Sequence, residues 1–348
     1  MRDIKYATDL TYEELCAAAA EAGEKKFRAD QLYGWIHKKN AFTYEEMTNL
    51  PAHFRKWMSE RYPLAACEAV SERVSKIDGT RKYLFKLADG CLIESVLMSY
   101  HHGMSACVSS QVGCRMNCSF CASAIGGLTR NLTAGEILAQ IYAMEAASGA
   151  RVSNIVMMGT GEPLDNYDNA VSFLKMITDD RGHGVSARSI TLSTCGIVPG
   201  IKRLATEGIP VSLALSLHAA TDALRREIMP VAKAYSLAEI ADAMKTYYAA
   251  NRRRLTFEYS LIAGVNDTDE CAKNLAGYVS RFQHLVNLIP VNPVRETGYQ
   301  KPSAEAARAF QKKLENCGIH VTIRRGLGRD IDGACGQLRK RYLEDKGV

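Results

Sequence analysis

Three cysteines, Cys114, Cys118 and Cys121, are spaced C-x3-C-x2-C in Cys114-Arg115-Met116-Asn117-Cys118-Ser119-Phe120-Cys121, and no other stretch of the chain constrains it as much. Three thiolates on one short loop can hold three corners of a [4Fe–4S] cube and leave the fourth iron without a protein ligand. A structural metal site closes all of its positions, whereas a catalytic one keeps a position open. The open iron suits a small chelating ligand, and the amino and carboxylate groups of S-adenosylmethionine fit that role. Reductive cleavage of its sulfonium then gives a carbon radical. A zinc knuckle or three plain buried cysteines are the alternatives. Zinc sites usually show four ligands, and here no His or fourth Cys stands close by.

A chain of 348 residues is long for one domain, and its 47% hydrophobic content supports a large core. The net charge of +6 is compatible with a polyanionic partner. No run approaches the roughly 20 apolar residues of a membrane helix. Met1-Arg2-Asp3-Ile4-Lys5 lacks the apolar region of a signal peptide. A cytoplasmic protein with no membrane association is expected. Eleven cysteines in such a compartment point to metal or catalysis and not to a disulfide framework.

Residues 1–63 read as an N-terminal helical accessory domain. Thr11 and Glu14 form a capping-box pattern, and Phe27, Leu32, Trp35 and Ile36 recur at helical spacing. Lys25, Lys26, Arg28, Lys38 and Lys39 surround that repeat. They are either a solvated face or a nucleic-acid contact. Residues 64–103 read as a β-hairpin linker that turns at Asp78-Gly79 and again at Asp89-Gly90. Arg73, Lys76, Arg81, Lys82 and Lys86 make this ribbon basic, and Glu94 sits inside an apolar strand. An inward carboxylate there is costly unless it is paired or functional, and an outward one is ordinary.

From residue 104 to 348 strand-like and helical runs alternate. The strands are read at 106–110, 154–158, 189–193, 211–217, 255–261 and 285–289, with a last one at 320–324, and the helices include 133–147 and 236–250. Repeated β-α units imply a parallel sheet, here an α/β fold with an open, partial (β/α)6 barrel, whose ligands collect at the C-terminal ends of the strands. The candidate chemical residues fall at those ends. Gly161 and Glu162 lie in a Gly-Glu-Pro turn, Ser193 ends one strand, Ser216-Leu217-His218 ends the next, and Asn292 follows another. Each could also be a turn or cap residue. Cys107 lies on the strand leading to the cluster loop, and Cys335 lies in a small-residue loop, Asp330 to Leu338. Both would lie near the barrel mouth if the barrel closes, although buried inert thiols are the commoner case.

Taken together, Cys107 to Cys114, the cysteine triplet, Arg130-Asn131-Leu132, Gly161-Glu162-Pro163-Leu164, Ser216-Leu217-His218-Ala219 and Asp330 to Leu338 resemble the radical S-adenosylmethionine RNA adenine-C2 methyltransferases, the RlmN group. Phe27 to Ile36 resembles that group's N-terminal RNA-binding segment. The resemblance implies that Cys114, Cys118 and Cys121 hold the cluster. It implies that Gly161, Glu162, Ser193, Ser216, Leu217, His218 and Asn292 bind S-adenosylmethionine. Cys335 would carry the methyl group, Cys107 would resolve the adduct through a disulfide, and Glu94 would accept a proton. It further implies 23S rRNA and tRNA as substrates, two molecules of S-adenosylmethionine per turnover, a flavodoxin or ferredoxin as electron donor, and a monomer. Two positions depart from the group's usual pattern: Thr160, where Met is commoner, and Cys195, where Ser is usual. The rivals are a C8-methylating relative, whose Gly-Glu turn continues with Ala where this chain has Pro163, a glycyl-radical activating enzyme, and a non-enzymatic iron–sulfur RNA-binding factor. The activating enzyme would leave Cys107, Cys335 and the basic N-terminal segment unexplained, and the binding factor would cleave no S-adenosylmethionine.

Overall fold

The computed structural model describes residues 5–293, 297–331 and 338. The chain opens with α1 (Tyr12–Glu21), α2 (Lys26–His37) and α3 (Ala52–Arg61). The capping box at Thr11 is formed. Its hydroxyl accepts from the Glu14 amide, and the Glu14 carboxylate accepts from the Thr11 amide. The three helices close on a core of their own that includes Leu15, Leu32, Ile36, Phe54 and Met58. Phe27 does not join it. That ring is 46% exposed, because the buried stripe of α2 runs through Ala29, Leu32, Tyr33 and Ile36, and position 27 falls on the opposite side of the helix.

Buried and part-buried polar contacts dock this bundle on the helix α4 (Ala134–Ser148). His37 Nδ1 lies 2.9 Å from the Tyr142 hydroxyl, the Asn40 amide donates to Glu145, and the Gly135 amide donates to Asp9 at 2.6 Å. Burial pushes the His37 imidazole from its ordinary 6.5 down to about 3. Below pH 6.5 the unfolded chain therefore takes up a proton that the folded chain refuses. Stability is intact above that pH and is lost as pH falls, by roughly 1.4 kcal/mol per pH unit for such a histidine. His218, also pushed down to about 3 by burial, adds a second such proton. Urea midpoints measured between pH 7 and 4 should fall steeply, and His37→Asn should flatten the dependence. An equal slope in that variant would remove His37 from the account.

The rest of the molecule is one mixed sheet with helices on its outer side. β1 (Glu68–Val74), β2 (Arg81–Lys86), β3 (Leu92–Tyr100) and β4 (Gly103–Cys107) pair antiparallel in succession. β5 (Gln111–Gly113) and β6 (Leu128–Asn131) form a separate small pair around the cysteine loop. β4 then continues in parallel register through β7 (Val152–Met157), β8 (Ile190–Thr194), β9 (Ser212–Ser216), β10 (Leu255–Leu261), β11 (His284–Pro290) and β12 (Val321–Ile323). The hairpin ribbon is thus the edge of a single ten-stranded sheet. The outer layer contains α5 (Tyr167–Ile177), α6 (Val198–Leu204), α7 (Asp222–Ile228), α8 (Leu237–Asn251), α9 (Asp269–Val279) and α10 (Ala304–Asn316).

Strand alternation sorts the side chains. Ile155, Leu192, Leu213, Phe257 and Leu288 face the helices and join Ile137, Phe173, Ile240, Met244 and Phe310 in the main core. Their neighbours on the concave side are mostly polar. Ser105, Thr191, Ser212, Thr256, Glu258 and Asn287 line a cavity of about 650 Å³. A barrel with a polar interior cavity of this size has room for a ligand. Among the described residues no helix is long and apolar enough to cross a membrane.

Candidate active site

The cysteine loop follows β5. Asn117 bends it through a left-handed conformation, φ 52°, which Asn tolerates better than most residues. Two ties fix the loop. The Arg115 guanidinium grips both carboxylate oxygens of Asp165, with Nε at 3.0 and 2.9 Å, and so joins the loop to the Gly-Glu-Pro turn. At the other end the Ser119 amide donates to the Ile228 carbonyl at 3.0 Å, and its hydroxyl lies 2.9 Å from that of Tyr299. Cys114 is buried, whereas Cys118 and Cys121 are half-buried. Burial pushes the Cys114 thiol up to about 11 and also raises that of Cys118, and each of these two is raised further by Cys121. Three soft donors on one loop, close enough to feel each other's charge, suit a cluster that binds them as thiolates. Among the described residues no group of three or more His, Cys, Asp or Glu is gathered so that it could hold a metal ion as it stands.

The Gly-Glu-Pro turn is built against the same loop. Gly161 has φ 111°, and a Cβ there would lie 2.7 Å from both Gln111 Cβ and Ser110 Oγ, so only glycine fits. Gln111 receives the Glu162 amide on Oε1 at 2.9 Å, while its Nε2 donates to Asn131 and Asp165 at 2.8 Å. The Glu162 carboxylate is buried and accepts from the amides of Cys195 at 2.7 Å and Leu164 at 3.0 Å. Burial raises its pKa, and those amides oppose the rise. A buried carboxylate at a strand end, held by amides and with no cation paired to it among the described residues, is set to receive an ammonium group.

Ser193 and Ser216, on adjacent parallel strands, bring their hydroxyls within 3.2 Å of each other. Leu217 is fully buried, and His218 follows it in a left-handed conformation, φ 55°. That strained geometry is held from three sides. The Ser260 amide donates to Nδ1 at 2.9 Å, Asn266 donates to the His218 carbonyl at 2.8 Å, and the Phe120 ring lies edge-on at 4.9 Å. The cysteine loop and the β9 end therefore touch through Phe120. Asn292 stands exposed two residues past β11. Cys335 lies outside the described residues.

Cys107 is the last residue of β4, buried beside Val96, Met98 and Val156. Glu94 is inward and paired: its Oε2 lies 3.0 Å from Lys82 Nζ, and both side chains are almost wholly buried. β3 is covered on both faces, because Ser95 bonds Gln140 of α4 at 2.7 Å while Glu94, Val96 and Met98 face the other way. Of the two readings open from the sequence, the inward, paired carboxylate is the one found. Lys82 is consequently no part of a basic surface. Nothing in the sequence marks Gln111, Asp165, Arg225 or Asn266 as site-building residues. Their partners lie far along the chain, and polar residues in loops are common. Cys195, which stands where the group usually has Ser, supplies its backbone amide to Glu162.

Two family descriptions match this chain: the radical SAM superfamily over residues 108–275, and the ribosomal RNA large subunit methyltransferase N-terminal domain over residues 7–63. A protein of Lachnospira eligens named "probable dual-specificity RNA methyltransferase RlmN" is 52% identical over 345 residues, covering 99% of this chain and 98% of its own. A relative of the same name from Clostridium perfringens is 47% identical and covers 99% of both chains. A crystal structure of a radical SAM methyltransferase from Sphaerobacter thermophilus superposes with a TM-score of 0.91 at 43% identity, over 96% of this chain and 98% of that one.

Proposed function

From the premise that this chain belongs to the RlmN family of radical SAM RNA methyltransferases, we propose that it methylates C2 of an adenosine in 23S rRNA and in tRNA, carrying the methyl group on Cys335. The family's cofactors are a [4Fe–4S] cluster and S-adenosylmethionine, which supply a carbon radical and a methyl group. Cys114, Cys118 and Cys121 are the residues to hold the cluster. Glu162 would receive the cofactor's ammonium, with Gly161 giving room for close approach. Ser193, Ser216, Leu217, His218 and Asn292 complete the pocket. C2 of adenine is electron-poor and cannot attack a sulfonium methyl, whereas a thiolate can. Cys335 therefore takes the methyl from one molecule of S-adenosylmethionine, and a second is consumed in activating it. Glu94 accepts the ring proton, and Cys107 releases the product by forming a disulfide with Cys335. The reaction runs in the cytoplasm on a monomer, with electrons from a flavodoxin or ferredoxin.

The observation that carries this reading is the convergence of Glu162, Ser193, Ser216 and His218 on the strand ends beside the cysteine loop, with Cys107 and the buried Glu94 on the adjoining strands. Mass mapping of methylated adenosine in RNA from cells with and without the gene tests it. Loss of 2-methyladenosine from both RNAs is the expected result, whereas loss of an 8-methyl mark would assign the other carbon.

RNA contact is assigned to the helical bundle. Lys25, Lys26, Lys38 and Lys39 are exposed, together with Phe27 and Phe42, and Lys39 Nζ lies 3.6 Å over the Trp35 ring. Exposed cations interleaved with exposed rings suit a backbone with splayed bases. Arg28 serves the fold, since it holds the Asn49 carbonyl and Gln31. Reversing the four lysines to Glu should weaken RNA binding and reduce the salt slope by about one log unit for each phosphate no longer neutralised. Radical formation without RNA should survive. An unchanged affinity and slope, measured by filter binding across a salt series, would return these lysines to plain solvent.

A further inference from the structure

Among the described residues Arg225 is the largest fully buried side chain, and it forms no ion pair with any of them. It reaches from α7 into the strand ends. Nη2 donates to the Cys195 carbonyl at 2.6 Å and to the Ser216 carbonyl at 3.4 Å, and Nε donates to the Leu217 carbonyl at 3.2 Å. Nη1 is buried without a partner among the described residues. A fully buried guanidinium ordinarily has an anion beside it, because three carbonyl dipoles replace only part of its hydration. The surrounding elements point to where that anion belongs. α7 ends at Ile228, whose carbonyl takes the Ser119 amide between Cys118 and Cys121. Met116, Cys118 and Phe120 pack on Cys195, Ala219, Ile228 and Met229. The guanidinium thus sits behind the cysteine loop, bonded to the carbonyl of Cys195 in the apolar cluster that Cys118 packs against.

We propose that Arg225 is the fixed counter-charge of the iron–sulfur cluster, raising its reduction potential. A cube held by three thiolates is anionic when oxidised and gains a further negative charge when one electron enters. A fixed cation in a poorly screened interior therefore stabilises the reduced form more than the oxidised one. The three carbonyls hold the guanidinium in place, so its position does not depend on the cluster.

The proposal rests on the ligand role of Cys118, and iron and sulfide content reports that role separately. The test is an EPR-monitored redox titration of anaerobically reconstituted full-length protein in four forms: wild type, Arg225→Met, Arg225→Gln and Arg225→Lys. At the wild-type midpoint the Met and Gln variants should show at least a tenfold fall in the ratio of reduced to oxidised cluster, about 59 mV for one electron. Arg225→Lys, which keeps the charge and loses the fork, should show less than a threefold fall. Full cluster content with an unchanged potential in either neutral variant overturns the proposal. If the neutral variants load no cluster while the Lys variant does, the charge requirement stands. If the Lys variant also loads none, Arg225 is a brace for the three carbonyls and the counter-charge role fails.

Discussion

Cys107→Ala should accumulate as protein covalently joined to RNA, with turnover reduced to the single event that makes the adduct. On the route proposed above, methyl acceptance at Cys335 needs one thiol, and a base attached through that sulfur is then held by a carbon–sulfur bond. Cleaving it requires a second thiol to bond the Cys335 sulfur and leave the methyl on the base. Cys107 is buried at the mouth end of β4 among Val96, Met98 and Val156, so its loss empties about one sulfur's volume and costs the fold only about 1 kcal/mol. The defect should therefore be chemical and not structural. Denaturing gels with labelled RNA should show a shifted band in Cys107→Ala that is absent from the Cys107→Ala/Cys335→Ala double variant. Normal turnover with no shifted band would make Cys107 a packed core thiol.

Lys82→Met should unfold the protein more readily than any surface change in the basic ribbon. It leaves the Glu94 carboxylate buried without its ammonium partner at 3.0 Å, and breaking such a pair from one side costs about 3–5 kcal/mol. Removing both charges is far cheaper, so Lys82→Met/Glu94→Leu should recover most of the stability. It should recover no methylation if Glu94 is the proton acceptor proposed above. Chemical denaturation of the two singles and the double gives the coupling. A Lys82→Met protein as stable as wild type would mean that the pair does not hold β2 to β3.

What can be read from the sequence is local or periodic. Thr11, Thr133 and Ser236 announce their helices through capping boxes four residues long. Each strand of the parallel series falls within a few residues of its apolar run, and both hairpins turn at their Asp-Gly pairs. The placement of Gly161, Glu162, Ser193, Ser216 and His218 at or just past strand ends is legible because a β/α array gathers those ends. Phe27 misleads because an aromatic near a helix start looks apolar whichever way it points. Lys82 and Glu94 mislead more instructively. The basic character of the ribbon is real, but only the register of β2 on β3 sets those two side chains together in the interior. Arg225 is invisible for the same reason. Its carbonyl partners come from two other strand ends, one of them 30 residues away, and a helix reading Asp-Ala-Leu-Arg-Arg-Glu-Ile looks like any charged surface helix.

Asp9, His37 and Asn40 are locked to Gly135, Tyr142 and Glu145, so the helical bundle is bolted to the barrel wall and not tethered to it. An RNA that lies across the exposed lysines and rings of α2 and also delivers a base to the strand ends must bridge a set distance in a set direction. The molecule is in that sense a calliper. Two RNAs as unlike as a ribosomal subunit and a small adaptor can both satisfy it, provided that each offers the same short stretch of three-dimensional outline. A change that lengthens or loosens the bolt should blur the choice of adenosine before it touches the chemistry.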